Sequence, residues 1–286
     1  MMPKADPSSV APLPAFRLGQ STLTVHAPDG AEKLPWREIA ARVLAGCDRS
    51  AAAGKTGRGV VFMLPGRELG LCFDVVVRQY RHGGLLRGLR GDGFRNRGRF
   101  LEELKVHLRV RELGLPAPEP LGVIVEEGGV AGDGVQGYYA TRRLEGVSGL
   151  PEYLAGASSG RRRQLAAELG RRLRRLHDEG IFYADLQVRN LLVDDSGELY
   201  FIDFDKSTWS AGPLPAARRR ANLYRFARSL EKYRRRGGKV SPLDRIIFLQ
   251  AYEPDPESYR SLFNALGRGL GWRSLFYQLG WRLNRS

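Results

Sequence analysis

Cysteine is nearly missing from this chain. Its 286 residues include two, Cys47 and Cys72, and no C-x-x-C pair. That excludes a disulfide framework. Histidine is also scarce, with His26, His82, His107 and His177 scattered along the chain, so a structural zinc site has no ligand cluster to draw on. The two thiols suit a reducing compartment. Long apolar runs are also missing, and none approaches the roughly 20 residues of a membrane-spanning helix. The opening stretch, MMPKADPSSVAPLPAF, lacks the apolar segment of a secretory signal. Its Pro, Ser and Ala read as a mobile tail over residues 1–19. Acidic residues are in short supply: 31 Asp and Glu stand against 46 Lys and Arg, a net charge of +15. Such an excess implies an anionic partner, whether nucleic acid, an acidic membrane surface or a phosphorylated substrate.

What the chain does hold is concentrated in YADLQVRNLLVDDSGELYFIDFD, from Tyr183 to Asp205. Two strand-like runs, NLLV and ELYFID, flank a D-D-S-G turn. Asp185 precedes them, Asn190 follows five residues on, and Asp203 closes the second run. Phosphoryl transfer asks for in-line positioning and for charge neutralisation on the phosphates. One carboxylate orients the acceptor hydroxyl and takes its proton. A second carboxylate and an amide oxygen supply the hard donors that Mg²⁺ prefers. Asp185, Asp203 and Asn190 are those three groups, and the segment predicts transfer of phosphate from ATP. Asp194, Asp195 and Asp205 read as turn or surface residues. His177 reads as a structural group near the loop, and His82 and His107 as incidental.

Periodicity places the segment in a larger plan. LTVHA reads as a strand and PWREIAARVLAGC as a short helix opened by Pro35. GVVFML and LCFDVVVRQY form a hairpin pattern around P-G-R-E-L-G. Phe100, Leu104 and Leu108 recur every four residues, an amphipathic helix from Arg99 to Leu113. LGVIVEE and QGYYATRRL are a further strand pair. After Gly146 the text turns helical, with a Leu165, Leu169, Leu173, Leu176 stripe among arginines. Basic helices follow over Ala216 to Tyr233, Pro242 to Ala251 and from Ser258 onward. The prediction is an α+β chain: a tail over 1–19, a sheet-rich unit with one key helix over 20–144, and a mainly helical unit over 145–286.

By spacing, the central segment resembles the protein-kinase superfamily, with Asp185-L-x-x-x-Asn190 as the catalytic loop and Asp203-Phe204 as the D-F of D-F-G. Tyr183, Ala184 and Asp205 stand where protein kinases usually carry His, Arg and Gly. The closer resemblance is to the lipopolysaccharide core-sugar kinases, above all those of 3-deoxy-D-manno-octulosonic acid (Kdo). It rests on Gly57-Arg58-Gly59, Arg78-Gln79-Tyr80-Arg81-His82-Gly83-Gly84, the Arg99 to Glu103 helix start, GLPAPEP from Gly114, Ala184 to Leu192, Ile202 to Lys206, and Asn222 to Lys232. Tyr183 and Gln187 depart from that branch's usual His and Asn.

The resemblance implies a protein-kinase-like two-lobe fold. It makes Asp185 the catalytic carboxylate and gives the metal to Asn190 and Asp203. It implies that Gly57 and Gly59 approach the phosphates and that Arg78 grips them, paired with Glu103 or, one register away, Glu102. ATP and Mg²⁺ are the implied cofactors. The implied acceptor is a sugar hydroxyl, of Kdo or another core sugar such as heptose, on lipid A-linked core oligosaccharide. The location it implies is cytoplasmic, peripheral on the cytoplasmic face of a Gram-negative inner membrane. The basic surface and the aromatic, basic run GWRSLFYQLGWRLNRS suit an anionic membrane. No nucleic-acid motif is present, and nucleic acid is not expected as a partner. Two alternatives remain: a kinase acting on a protein or a free small molecule, and a non-catalytic basic protein binding lipid or nucleic acid.

Overall fold

A computed structural model of the protein describes residues 10–52, 60–80, 97–128 and 135–270. The chain divides into two compact units, Met1–Leu144 and Glu145–Ser286.

The first unit is built on one antiparallel sheet. Its strands are β1 (Ala11–Pro12), β2 (Phe16–Leu18), β3 (Ser21–Ala27), β4 (Val61–Leu64), β5 (Val75–Gln79), β6 (Pro120–Glu127) and β7 (Val135–Arg142). They run in the order β1-β3-β6-β7-β5-β4, with β2 also paired to β3. Two helices accompany them, α1 (Trp36–Ala52) and α2 (Gly98–Glu112). Side chains alternate across the sheet and serve a different helix on each face. Ile124, Tyr138 and Ala140 pack in one core with Trp36, Ile39 and Val43 of α1. Val123, Val125 and Tyr139 pack in another with Phe100 and Leu104 of α2. Burial on both faces explains why β6 and β7 read as nearly continuous apolar runs.

Two expectations change here. Residues 1–19 are not a tail throughout, because β1 and β2 lie within them and pair with β3. The second strand of the hairpin begins only at Val75. Before it, Asp74 turns the chain by accepting hydrogen bonds from the Gly66 amide and the Arg143 guanidinium, each at 2.9 Å.

The second unit contains β8 (Val147–Gly149), α3 (Leu150–Gly156), α4 (Ser159–Asp178), β9 (Ile181–Phe182), β10 (Leu191–Asp194), β11 (Leu199–Phe201), β12 (Thr208–Trp209), α5 (Ala216–Arg235), α6 (Pro242–Tyr252) and α7 (Pro256–Leu270). The leucine stripe of α4 is buried as its period predicts. Gly170 lies where α4 meets α6, and a Cβ there would stand 2.4 Å from the Phe248 carbonyl oxygen. The arginines of α4 do not form a bare basic face. Arg172 reaches Glu168, Glu198 and the Leu199 carbonyl, and Arg174 reaches Asp178 and Glu253. They tie the helix to the β10–β11 hairpin and to the end of α6. Among the described residues no helix is long and apolar enough to cross a membrane.

Candidate active site

Helix α4 ends at Asp178, and Gly180 reverses the chain at φ +77°, against the Ser210 carbonyl. Any side chain at 180 would be strained and crowded there. β9 then leads into Tyr183, Ala184 and Asp185, and a single 3-10 turn carries the chain through Val188–Asn190 into β10. β10 and β11 pair around a turn held by Asp194, whose Oδ1 accepts from Ser196 Oγ at 2.6 Å and from the Glu198 amide at 2.8 Å. Asp194 is thus a turn former, as its spacing suggests. At the far end of β11 stands Asp203, at φ 65°. Left-handed backbone is uncommon for a residue with a Cβ and clusters at functional sites.

Asp185 and Asn190 are brought together. The Asn190 amide nitrogen donates to the Asp185 carbonyl at 2.8 Å and to its Oδ2 at 3.0 Å. The amide oxygen is then the Asn190 atom with the chemistry to meet a cation. Asp185 is held from three further directions. Gln187 donates to Oδ1, Arg225 of α5 donates to Oδ1 at 3.0 Å, and Arg189 donates to Oδ2 at 3.4 Å. Asp203 Oδ1 accepts from the Asp205 amide at 3.4 Å. One carboxylate and one amide oxygen suit Mg²⁺, which is usually held by one or two carboxylates together with substrate phosphates. Among the described residues no group of three His, Cys, Asp or Glu is placed to hold a metal.

Tyr183, which departs from the usual histidine, is fully buried. Its hydroxyl donates to the Ile202 carbonyl and lies 3.1 Å from the Asn190 carbonyl. Its ring packs on Phe201 and Phe204. It therefore couples the loop carrying Asp185 to the turn carrying Asp203. A relay fixes Tyr183 from behind. Asn222 Nδ2 donates to the Tyr183 carbonyl at 2.6 Å, and Asn222 Oδ1 lies 3.0 Å from His177 Nε2. An acceptor there requires the proton on Nε2, which leaves Nδ1 to accept from the Tyr252 hydroxyl at 2.7 Å. Burial, outweighing the Asn222 hydrogen bond, lowers the His177 pKa to about 4 and keeps it neutral. His177 is structural, as expected, but it reaches the loop backbone only through Asn222.

In the first unit, Arg78 of β5 and Glu103 of α2 meet as an ion pair. Arg78 Nη2 lies 2.6 Å and 2.7 Å from the two Glu103 oxygens, and the Tyr80 hydroxyl donates to Oε2 at 2.5 Å. The Arg78 guanidinium lies over the Tyr80 ring, 4.7 Å from its centroid. Glu103 is 1% exposed, whereas the Glu102 side chain is 54% exposed and pairs with Lys105. The register is thus Glu103. Burial first, then the Glu103 charge, pushes the Tyr80 hydroxyl pKa well up, so it stays a donor. His107 is not incidental: it is buried on α2 with Nδ1 2.8 Å from the Tyr139 hydroxyl, and burial, with Arg111, lowers its pKa to about 3. Gly57, Gly59 and the run from Arg81 to Gly84 lie outside the described residues, as does the aromatic and basic run after Leu270.

Sequence reasoning missed Arg225, Arg189 and the positioning role of Asn222 and Ser229. Three residues of α5 address the loop in step: Asn222 meets the Tyr183 carbonyl, Arg225 meets Asp185, and Ser229 Oγ accepts from the Val188 amide at 3.0 Å. The run N-L-x-R-x-x-R-S carried the signal, since 222, 225 and 229 share one helical face.

Comparison with known proteins bears on the same segments. A profile of the lipopolysaccharide kinase (Kdo/WaaP) family matches residues 54–252. A 3-deoxy-D-manno-octulosonic acid kinase of Xylella fastidiosa strain 9a5c is 34% identical over 191 residues, covering 65% of this chain and 72% of that protein. For the strain M12 protein of the same name, the identity is 35% over 166 residues, and the match spans 63% of its length. A Vibrio cholerae protein of that name is 27% identical over 203 residues, covering 69% of this chain and 81% of its own. Among solved structures, WaaP in complex with acyl carrier protein aligns at a TM-score of 0.54 and 15% identity, over 77% of this chain and 90% of that one. That likeness bears on the fold, which is protein-kinase-like.

Proposed function

The chain belongs to the lipopolysaccharide kinase (Kdo/WaaP) family and is a kinase of core-sugar hydroxyls, and from that premise we propose that it transfers the γ-phosphate of ATP to a hydroxyl of Kdo on lipid A-linked core. The observation that carries the reading is the tie between Asp185 and Asn190, whose amide nitrogen donates to the Asp185 carbonyl at 2.8 Å and to its carboxylate at 3.0 Å, with Asp203 in left-handed backbone at the end of the paired strand.

Asp185 orients the acceptor hydroxyl and takes its proton. The freed oxygen lone pair forms the new O–P bond. The bond from the γ-phosphorus to the bridging oxygen breaks, and its electron pair leaves with ADP. Asn190 and Asp203 would hold Mg²⁺, which when bound supplies charge neutralisation on the phosphates. Arg78, oriented by Glu103 and Tyr80, binds the α- and β-phosphates. Arg in place of the usual Lys presents a planar fork rather than a point charge. The reaction belongs on the cytoplasmic side of the inner membrane, with the basic protein attracted to the anionic surface that carries its acceptor.

The test is label transfer from γ-labelled ATP to Kdo-bearing lipid A precursor, with and without Mg²⁺. Transfer by the wild-type chain and its loss in Asp185→Ala support the reading. Undiminished transfer by that variant sinks it.

A further inference from the structure

Asp185 has more donors than a working base can keep. Its two oxygens offer about four lone-pair sites. Gln187 and Arg225 address Oδ1, and Asn190 and Arg189 address Oδ2. An incoming hydroxyl must displace at least one of them. Asn190 is buried and Gln187 belongs to the loop itself. The two guanidiniums are the mobile members, with side chains 51% exposed at Arg225 and 56% at Arg189. Among the described residues Asp185 is the acidic partner of both. Two arginines sharing one carboxylate leave one positive charge in excess, beside the place where the acceptor oxygen must lie.

We propose that Arg225 and Arg189 form the recognition element for an anionic group on the acceptor, a carboxylate carried close to the hydroxyl that receives phosphate. This rests on the reading of Asp185 as the acceptor-orienting base. Guanidinium forks match planar carboxylates in two parallel hydrogen bonds, and such charge-assisted pairs are the strong ones. Arg225 is well placed to serve, because Asn222 and Ser229 anchor its helix to the loop on either side. Bound acceptor draws both guanidiniums away from Asp185. That uncovers the base only when the correct sugar acid is present. A neutral sugar leaves the base capped, so the same contact selects the acceptor and restrains wasteful hydrolysis of ATP.

The experiment uses the full chain with free Kdo, its carboxamide and the Kdo-bearing lipid, read by calorimetric binding and by steady-state transfer. Wild type should bind the acid about 10- to 100-fold more tightly than the amide, the range of a charged hydrogen bond. Arg225→Gln should lose that preference and raise KM for the lipid acceptor by a similar factor while KM for ATP holds. Arg189→Gln, on the exposed turn, should act in the same direction and serves if Arg225→Gln fails to fold. Equal binding of acid and amide by wild type overturns the proposal. A rise in KM for ATP alone in Arg225→Gln also overturns it and assigns the pair to the transferred phosphate. Failures are separable: acid-selective binding without transfer sinks the kinase reading and spares the arginine pair, whereas transfer to acid and amide alike does the reverse.

Discussion

The two units hold their key carboxylates in opposite ways. Glu103 is sealed, 1% exposed, and bonded to the Arg78 guanidinium and the Tyr80 phenol. Asp185, 26% exposed in its side chain, sits among four donors, two of them on half-exposed arginines. A buried pair costs several kcal/mol of desolvation and tolerates no missing partner. An open carboxylate can exchange partners. On the roles proposed above, the difference is a division of labour: the group that would orient a phosphate-binding cation is fixed before any ligand arrives, and the group that would meet the acceptor is left exchangeable.

The sharpest way to break this comparison is to remove both carboxylates in turn. Asp185→Ala should lower kcat by about 10³-fold, within the range for a lost general base, and cost under about 1 kcal/mol of stability, since the two arginines it leaves are half exposed to water. Glu103→Ala should do what Asp185→Ala does not and destabilise the fold by roughly 2–4 kcal/mol, because it strands Arg78 and the Tyr80 hydroxyl. Urea titration of both variants decides the matter. Equal losses of stability would erase the contrast.

Acid provides a gentler probe, since each unit contains a histidine bonded to a tyrosine hydroxyl, His107 to Tyr139 and His177 to Tyr252. Both have folded pKa values depressed by burial, to about 3 and about 4. The unfolded chain therefore binds their protons first. Stability is fully present above about pH 6.5 and falls by up to about 1.4 kcal/mol per pH unit per histidine as pH drops below it. The His177 contribution levels off near pH 4 and that of His107 near pH 3. Denaturation midpoints between pH 7 and pH 4 should flatten by one proton's slope in either His177→Gln or His107→Gln. The smallest effect expected is that of Tyr183→Phe, which removes one hydroxyl donor. It should cost about 1 kcal/mol of stability and reduce kcat several-fold with little change in either KM, since it shifts the Asp203 turn without touching a ligand. A change in KM for the acceptor would mean that Tyr183 shapes the acceptor pocket after all.

Much of this was legible before any coordinates. The hairpins, the amphipathic α2 and the loop from Asp185 to Asn190 are specified by local patterns: alternation, four-residue spacing and turn residues. β1 and β2 were not, because two- and three-residue strands next to prolines carry no period, and pairing with β3 alone makes them strands. Arg225 was hidden for another reason. It lies 40 residues after Asp185, in a helix crowded with arginines, and nothing local separates the one that meets the base from those that meet water. The choice of Glu103 over Glu102 likewise needed the tertiary fold, since adjacent glutamates on a helix differ only in which side is buried. Tyr183 read only as a departure from the usual histidine, because position in a motif does not reveal burial.

The three α5 contacts make that helix a ruler laid along the loop. Seven residues of helix span about 10 Å, and adding or removing one turns everything beyond it by about 100°. An insertion between Asn222 and Ser229 would carry Arg225 or Ser229 off the loop while leaving every side chain chemically intact. The stretch from Lys206 to Pro215 is tied to the same loop by other means: Ser207 Oγ accepts from the Ala184 amide at 3.1 Å, β12 pairs with β9, and the Leu214 amide donates to the His177 carbonyl at 2.8 Å. Length variation in this protein should thus be forbidden between Asn222 and Ser229, a limit on spacing rather than on residue type.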